Sequence, residues 1–256
     1  MQPALLNPVP AWKTVAREQF RSVGVALRRE ALVAAGFVGV LSVWIGYLGV
    51  NGFSDARVPF SPEAGLPVVL LALLAPMAVW KGEDPARRGY HRAMPVSHGT
   101  HAVTRSLSGL AWTLAAAVGF FAWLGTASAL TGGPVDHGQG WLWIAPFTGV
   151  AVMYLLGSAL TLVTAYPWRW MGGGVVAYMF LRMLRMADGT RPLSEAVDSV
   201  IWGRYGIATV VSGWSPMPGN HWMHDANASV WLLATWFWLA IAISVFLYSA
   251  YRQPER

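Results

Sequence analysis

Two groups of residues in this sequence have side chains that could bind a metal ion. His98 and His101 lie three residues apart, a spacing that on a helix lets both imidazoles reach one ion, and His91 precedes them. No carboxylate or Cys stands at a suggestive spacing from this group. The second group is His221, His224 and Asp225, in the sequence PGNHWMHD. The Trp, Pro and Gly around it are typical of a turn at a membrane surface. We predict polar surface at both places, with metal binding as the alternative.

Arg182 and Arg185 are the second set of candidates, because they end a short apolar stretch that begins near residue 170. An ionisable side chain at membrane depth is costly to bury without a partner. One interpretation is contact with an anionic substrate, a lipid headgroup or a partner protein. The other is that both side chains extend to the membrane surface by snorkelling.

The sequence contains no recognisable catalytic or nucleotide-binding motif. A Walker A loop needs Gly-x-x-x-x-Gly-Lys-Ser/Thr, and the only two lysines, Lys13 and Lys81, do not fit that pattern. The chain has no Cys, which excludes thiol catalysis, and it shows neither a nucleophile elbow nor a pair of catalytic carboxylates. We therefore predict that the chain is not an enzyme and holds no cofactor of its own.

The composition indicates that these residues are positioned by membrane helices. The 256 residues are 55% hydrophobic and only 12% charged, whereas soluble domains carry roughly 25% charged residues. We predict an all-α polytopic membrane protein with about six spans, near 32–50, 64–81, 106–131, 141–166, 170–186 and 228–251; the fifth is the weakest. No repeat or linker divides residues 1–256, so we predict one transmembrane domain. The chain has a net charge of +6, and its basic residues lie beside the apolar spans. This position favours the lipid bilayer over nucleic acid as the partner.

The distribution of Lys and Arg predicts the orientation. Segments 12–29 and 81–105 are rich in these residues, whereas loops 51–63 and 132–140 contain only Arg57. By the positive-inside rule the first two segments are cytoplasmic. Six spans then place both termini on the cytoplasmic side of the plasma membrane. Loop 187–227 becomes external, and its helical spacing of apolar residues over 193–201, followed by an apolar run at 205–214, predicts an interfacial or re-entrant helical element.

Residues 11–29 form the clearest amphipathic helix. Trp12, Phe20 and Val23 share one face, and Lys13, Arg17 and Arg21 share another. A helix of this kind lies in the membrane interface, with its apolar face in the acyl boundary and its cations toward anionic groups. A simple anchor and a surface that docks a partner are both consistent with this pattern.

Residues 80–105, WKGEDPARRGYHRAMPVSHGTHAVTR, predict a short charged helix on the cytoplasmic side. Asp84 followed by Pro85 is a strong helix start, and Pro95 should end the helix, giving a range of 84–94. Ser97 can then cap the start of the third span. The alternative is a solvated loop that simply obeys the positive-inside rule.

The order of these parts resembles the ABC-2 type permease family, the membrane subunits of ATP-driven exporters. The resemblance is carried by Glu83, Arg88, Gly89 and the turn Met94-Pro95-Val96-Ser97 between the second and third spans. It implies that helix 84–94 is a coupling helix that docks on a separate ATP-binding-cassette subunit, which binds ATP and Mg. The docking residues it implies are Glu83, Asp84, Arg87, Arg88, Tyr90 and Arg92.

The resemblance also implies a second permease chain, identical or different, and a helical, partly re-entrant external element before the last span. Two other functional classes remain open. One is a non-transporting structural subunit of a larger membrane complex, which would need no ATPase. The other, an intramembrane enzyme, is the weakest, because the predicted spans contain no cluster of acids, bases or metal ligands.

Overall fold

The computed structural model describes residues 12–50, 57–81, 97–136, 139–184, 191–216 and 223–252. These residues fold almost entirely into helices. The helices are α1 Trp12–Ala26, α2 Arg28–Val50, α3 Leu66–Trp80, α4 His98–Thr131, α5 Ala145–Val163, α6 Pro167–Leu184, α7 Arg191–Trp202, α8 Ile207–Ser212 and α9 Ala228–Tyr251. Short 3-10 turns, Pro62–Gly65 and Gly140–Trp143, precede α3 and α5. Strands β1 Trp214–Pro216 and β2 Met223–Asp225 form a small antiparallel ladder that the all-α prediction did not include.

Five helical stretches in the described residues are long and apolar enough to cross a membrane, so the prediction of a helical membrane protein is confirmed at this level. They are Arg28–Leu48, Pro62–Trp80, Gly99–Thr131, Gly140–Val163 and Ala228–Tyr251. Helix α6 forms where the weak fifth span was predicted, but it carries Arg169, Arg182 and three glycines and does not belong to this set. A total of six spans therefore stays a prediction.

Helix α5 lies at the centre of the packed bundle. It is buried along most of its length, against α3, α4, α8 and α9. Its glycines permit this contact: a Cβ at Gly157 would overlap the backbone of Leu73 on α3, and one at Gly149 would come within 3.2 Å of Val211 on α8. Small residues allow this close approach in membranes, where dispersion contacts hold helices together.

Helix α1 continues into α2 with only a local break at Leu27. The Leu27 amide donates to Val23, and the Ala31 amide donates to the Leu27 carbonyl, so the hydrogen-bond ladder is nearly continuous. The described part of the predicted range 11–29 therefore comprises α1, the break at Leu27 and the first residues of α2, which include Arg28. Residues 28–48 of α2 include no buried residue.

The third span starts at the predicted Ser97 cap, about two turns before the predicted apolar stretch 106–131. The Ser97 hydroxyl accepts a hydrogen bond from the Thr100 amide at 3.3 Å, which confirms Ser97 as the N-cap. Because this cap starts the helix at His98 rather than at 106, the last residues of the predicted loop 81–105 lie within α4. Arg105 thereby becomes a helical residue two turns from the N-terminus of α4.

Helix α7 covers the helical periodicity predicted over 193–201, and α8 lies within the apolar run at 205–214; a turn at residues 203–206 joins them. The Trp238 indole donates to the Tyr205 carbonyl at 2.9 Å, and Trp238 lies ten residues, about 15 Å, into α9. The Ala226 amide, just before α9, donates to the Gly213 carbonyl at the end of α8. The α7–α8 turn therefore lies well down α9, whereas the end of α8 lies near the start of α9.

Candidate functional site

Arg105 is the charged residue most deeply placed in the described structure. Only 7% of it is exposed, and its Nε and Nη2 atoms donate to the Val79 carbonyl at 3.3 and 2.7 Å. Val79 lies in the last turn of α3, where carbonyls have no donor within the helix. A guanidinium group there satisfies a free carbonyl and also places positive charge at the negative end of the helix dipole. Arg105 thus fixes the end of α3 to the beginning of α4.

Aromatic and amide groups surround this guanidinium. Arg105 lies 5.4 Å from the ring centroid of Trp80, and the His101 ring packs edge-on against the same indole at 6.4 Å. Arg105 Nη1 donates to Gln19 Oε1 at 3.5 Å, and Gln19 Nε2 lies 3.3 Å from His101 Nδ1. Because an amide nitrogen only donates, Nδ1 accepts this bond, so a neutral His101 carries its proton on Nε2. We call Gln19, Val79, Trp80, His101 and Arg105 the Arg105 cluster.

Helix α1 reaches the Arg105 cluster because its apolar face packs on α4. Phe20 stacks on Trp112 with ring centroids 5.0 Å apart, and the Trp112 indole donates to the Phe20 carbonyl at 3.0 Å. Val23 is fully buried, and Gly24 leaves room for the Trp112 ring. The face predicted to lie in lipid is therefore partly covered by protein.

The other predicted interfacial residues of α1 lie on its exposed surface. Trp12 is 70% exposed, and Lys13, Arg17 and Arg21 are all exposed. The face that packs on α4 and the cationic face thus separate as the helical pattern predicts. The cations remain accessible to anionic groups.

The predicted docking residues Glu83, Asp84, Arg87, Arg88, Tyr90 and Arg92 lie outside the described residues. Both ends of their segment are described, however. At one end, Trp80 ends α3 and belongs to the Arg105 cluster. At the other end, the Ser97 carbonyl accepts a hydrogen bond from the amide of His101, which also belongs to the cluster. Lys81 also lies 4.0 Å from Glu30 of α2 in an exposed ion pair, which contributes little stability. The cluster therefore connects α1 to both ends of segment 82–96.

A second polar cluster joins α6 to α7. The Tyr178 hydroxyl donates to Asp198 Oδ1 at 3.0 Å and accepts from the Trp202 indole at 2.8 Å. Arg182 Nε lies 4.0 Å from the same Asp198 oxygen, and about half of the Arg182 side chain is exposed. The structure thus gives Arg182 a protein counter-ion, which neither sequence interpretation included. Arg185 lies outside the described residues.

Of the two histidine groups, the structure describes only the side chain of His101; the side chains of His98, His224 and Asp225 lie outside the described part of the chain. No three His, Cys, Asp or Glu residues within the described part come together in a way that could hold an ion. His101 Nδ1 faces Gln19, and Gln19 is a neutral amide on another helix. His91 and His221 lie outside the described residues.

Sequence reasoning did not assign Gln19, His101 and Arg105 to a common cluster. The sequence alone places Arg105 among the cytoplasmic cations and offers His101 as a metal ligand. The signal was present in the Ser97 cap: once α4 begins at 98, His101 and Arg105 are four residues apart and share a helix face. Gln19 gave no comparable signal, because its contact depends on how α1 docks.

No protein-family model, curated protein or solved structure matches this chain. The resemblance to ABC-2 type permeases therefore rests on the sequence alone, on the residues quoted above and the predicted order of the segments, and it stays a prediction.

Proposed function

We propose that this chain is the membrane-spanning permease subunit of an ABC-type exporter. Separate nucleotide-binding subunits bind ATP and Mg, and two permease chains, identical or different, form the translocation path. In this proposal the protein lies in the cytoplasmic membrane with six spans, counting α6, and with both termini inside. Helices α7 and α8 then form a re-entrant element that enters from the external side.

The observation that supports this proposal most strongly is the position of the Arg105 cluster. Segment 82–96 contains the proposed coupling helix, and its two ends are held by α3 and α4. Arg105 fixes these two helix ends to each other, and Gln19 adds α1. A push on segment 82–96 by an ATPase would therefore displace three helices together rather than deform a loose loop.

The exposed helices are consistent with a second chain. Gly172, Gly173 and Gly174 of α6 have no atom of the described structure within 4 Å of their Cβ positions. Glycines on an open helix face allow another helix to approach closely in a membrane.

A structural subunit of a larger complex is the second candidate. Helices α2 and α6 have no buried residue among those whose burial is described, and they present apolar side chains along their lengths. The other subunits of a larger assembly would cover these faces in the same way as a second permease chain. The two candidates differ in one component, because only the permease requires an ATPase.

Purification of the tagged chain from its native host in a gentle detergent tests the proposal. Mass spectrometry of the co-purifying proteins and an ATPase assay would be applied to the same sample. A stoichiometric Walker A protein with vanadate-sensitive activity supports the permease. A stable complex without an ATPase contradicts it and favours the structural subunit.

Variants in segment 82–96 test the coupling role separately. Glu83→Ala, or Gly insertions within residues 86–92, should uncouple ATP hydrolysis from transport while membrane insertion stays normal. The exposed Arg57, on the predicted external side, provides the control Arg57→Ala. Normal transport by the Glu83 and insertion variants would refute the coupling assignment.

A further inference from the structure

The three basic residues of α1 lie along one side of the helix. Lys13, Arg17 and Arg21 follow one another at intervals of four residues, which places them within an arc of about 80°. All three residues are exposed. Arg28 and Arg29, which are also exposed, follow where α2 begins. We call Lys13, Arg17 and Arg21 the α1 cations.

Within the described residues, the α1 cations have no carboxylate partner. The ion pairs found there involve other basic side chains. Glu18, the acidic residue of α1, is exposed and forms no ion pair with them. Like charges four residues apart destabilise a helix, and the α1 cations make two such pairs. An anionic partner from outside the described structure would remove this repulsion.

The position of α1 brings its cations to the edge of the bilayer. Helix α1 ends at Ala26, and the first candidate membrane span begins two residues later, at Arg28. The helix also packs along α4, which contains another candidate span, through the stacking of Phe20 on Trp112. Bilayer headgroups therefore lie beside the start of α2 and next to the last turns of α1.

We propose that the α1 cations bind the headgroups of anionic phospholipids in the leaflet next to the start of α2. Headgroup phosphate oxygens accept hydrogen bonds from Lys and from the planar guanidinium of Arg, which can donate two parallel bonds. Basic residues beside an anionic membrane surface are attracted to it, and the attraction increases with their number. The lipid is favoured over an acidic protein because a membrane span begins two residues after α1.

This proposal goes beyond the transport function and does not depend on it. Gln19 lies on the same helix, where it accepts a hydrogen bond from Arg105 and donates one to His101. Lipid bound to the α1 cations would therefore also hold Gln19 at the Arg105 cluster. Anionic lipid then acts as a ligand that stabilises the packed form of the chain.

Hydrogen exchange of the full chain in lipid nanodiscs tests the proposal at the level of the helix. Exchange would be measured on peptides from residues 12–26, in discs of phosphatidylcholine alone and in discs that also contain phosphatidylglycerol. Phosphatidylglycerol should slow this exchange several-fold, because bound headgroups hold α1 in place. The slowing should be lost at about 1 M salt, where the Debye length is about 3 Å. Inorganic phosphate added to phosphatidylcholine discs should have no such effect.

Paired substitutions show whether the α1 cations are the binding groups. Arg17→Gln/Arg21→Gln should abolish the slowing, whereas Arg57→Gln/Arg204→Gln, which removes the same charge from two exposed residues elsewhere, should retain it. Exchange in peptides from α9 should match the parent chain and so shows that both variants stay folded.

Equal exchange of α1 in the two kinds of disc would overturn the lipid site and leave an acidic protein as its partner. Slowing that persists in Arg17→Gln/Arg21→Gln, or that is unchanged at high salt, would also overturn it, because the contact would then not depend on these charges. Slowing by inorganic phosphate as strong as that by phosphatidylglycerol would contradict the choice of lipid as the ligand.

Discussion

Arg105 is the side chain on which the connection between α1, α3 and α4 depends. Its guanidinium group bonds the Val79 carbonyl through two nitrogens and Gln19 through a third. A hydrogen bond to a charged group contributes about 1.5–3 kcal/mol, and truncation leaves the buried carbonyl unpaired. Arg105→Met should therefore lower the free energy of unfolding by about 2 kcal/mol.

Arg105→Lys should recover only part of this loss, because an ammonium group lacks the planar fork. Thermal unfolding of the purified variants in detergent measures both effects. Arg57→Met, which replaces an exposed arginine, is the matched control and should unfold like the parent chain. An unchanged Tm for Arg105→Met would show that the contacts of this side chain do not hold the three helices together.

Tyr178 has the corresponding role between α6 and α7. Its hydroxyl accepts from Trp202 and donates to Asp198, whereas the half-exposed Arg182 contributes little because solvent screens its charge. Tyr178→Phe should therefore increase hydrogen exchange in α7 more than Arg182→Gln does. Exchange measured by mass spectrometry on peptides from 191–202 tests this order, and the reverse order would make the ion pair the main contact. Tyr166→Phe, at an exposed tyrosine outside both helices, is the control.

Helix α1 illustrates which properties of a helix can be predicted from its sequence and which cannot. The amphipathic pattern predicts its existence and its two faces, because both follow from a period of 3.6 residues. The pattern does not predict that Phe20 stacks on Trp112, since this contact depends on the position of α4 in three dimensions. The sequence likewise does not predict the ion pair of Asp198 with Arg182, because it forms only when α6 and α7 pack together.

A substitution at Gly24 tests whether α1 docks as described. A Cβ there would lie 2.9 Å from the Trp112 ring, which is rigid and stacked on Phe20. Gly24→Val should displace α1 and accelerate hydrogen exchange over residues 12–26. Gly36→Val is the matched control, because nothing lies within 4 Å of a Cβ at Gly36. Equal exchange in both variants would mean that α1 does not depend on this contact.

For the chain as a whole, the length and composition of the apolar stretches predicted the membrane class correctly. Five candidate spans follow from hydropathy alone, because a bilayer requires about 20 apolar residues for each helix. The α6–α8 region was less predictable, because its placement depends on contacts between distant residues, such as the hydrogen bond from Trp238 to the Tyr205 carbonyl. Its position in the membrane is the part of the topology that most needs an experiment.

The absence of native cysteines makes that experiment direct. Single cysteines introduced at 57, 136, 166 and 192 would be labelled with a membrane-impermeant maleimide on intact cells. Six spans predict labelling at 57, 136 and 192 and none at 166, because α6 then crosses the membrane. If 166 and 192 label alike, α6 does not cross and the chain has five spans.

The central claim is that an ATPase docks on this chain. Cross-linking from segment 82–96 is the most direct test of this claim. Arg88→Cys, in the native host's membranes, would be treated with a short thiol-to-amine cross-linker, and the products would be identified by mass spectrometry. Arg57→Cys, on the predicted external side, is the control. The permease proposal predicts that Arg88→Cys, and not Arg57→Cys, captures a protein with a Walker A motif. Capture of a protein without that motif by Arg88→Cys, reproducibly and at high yield, would contradict the proposal.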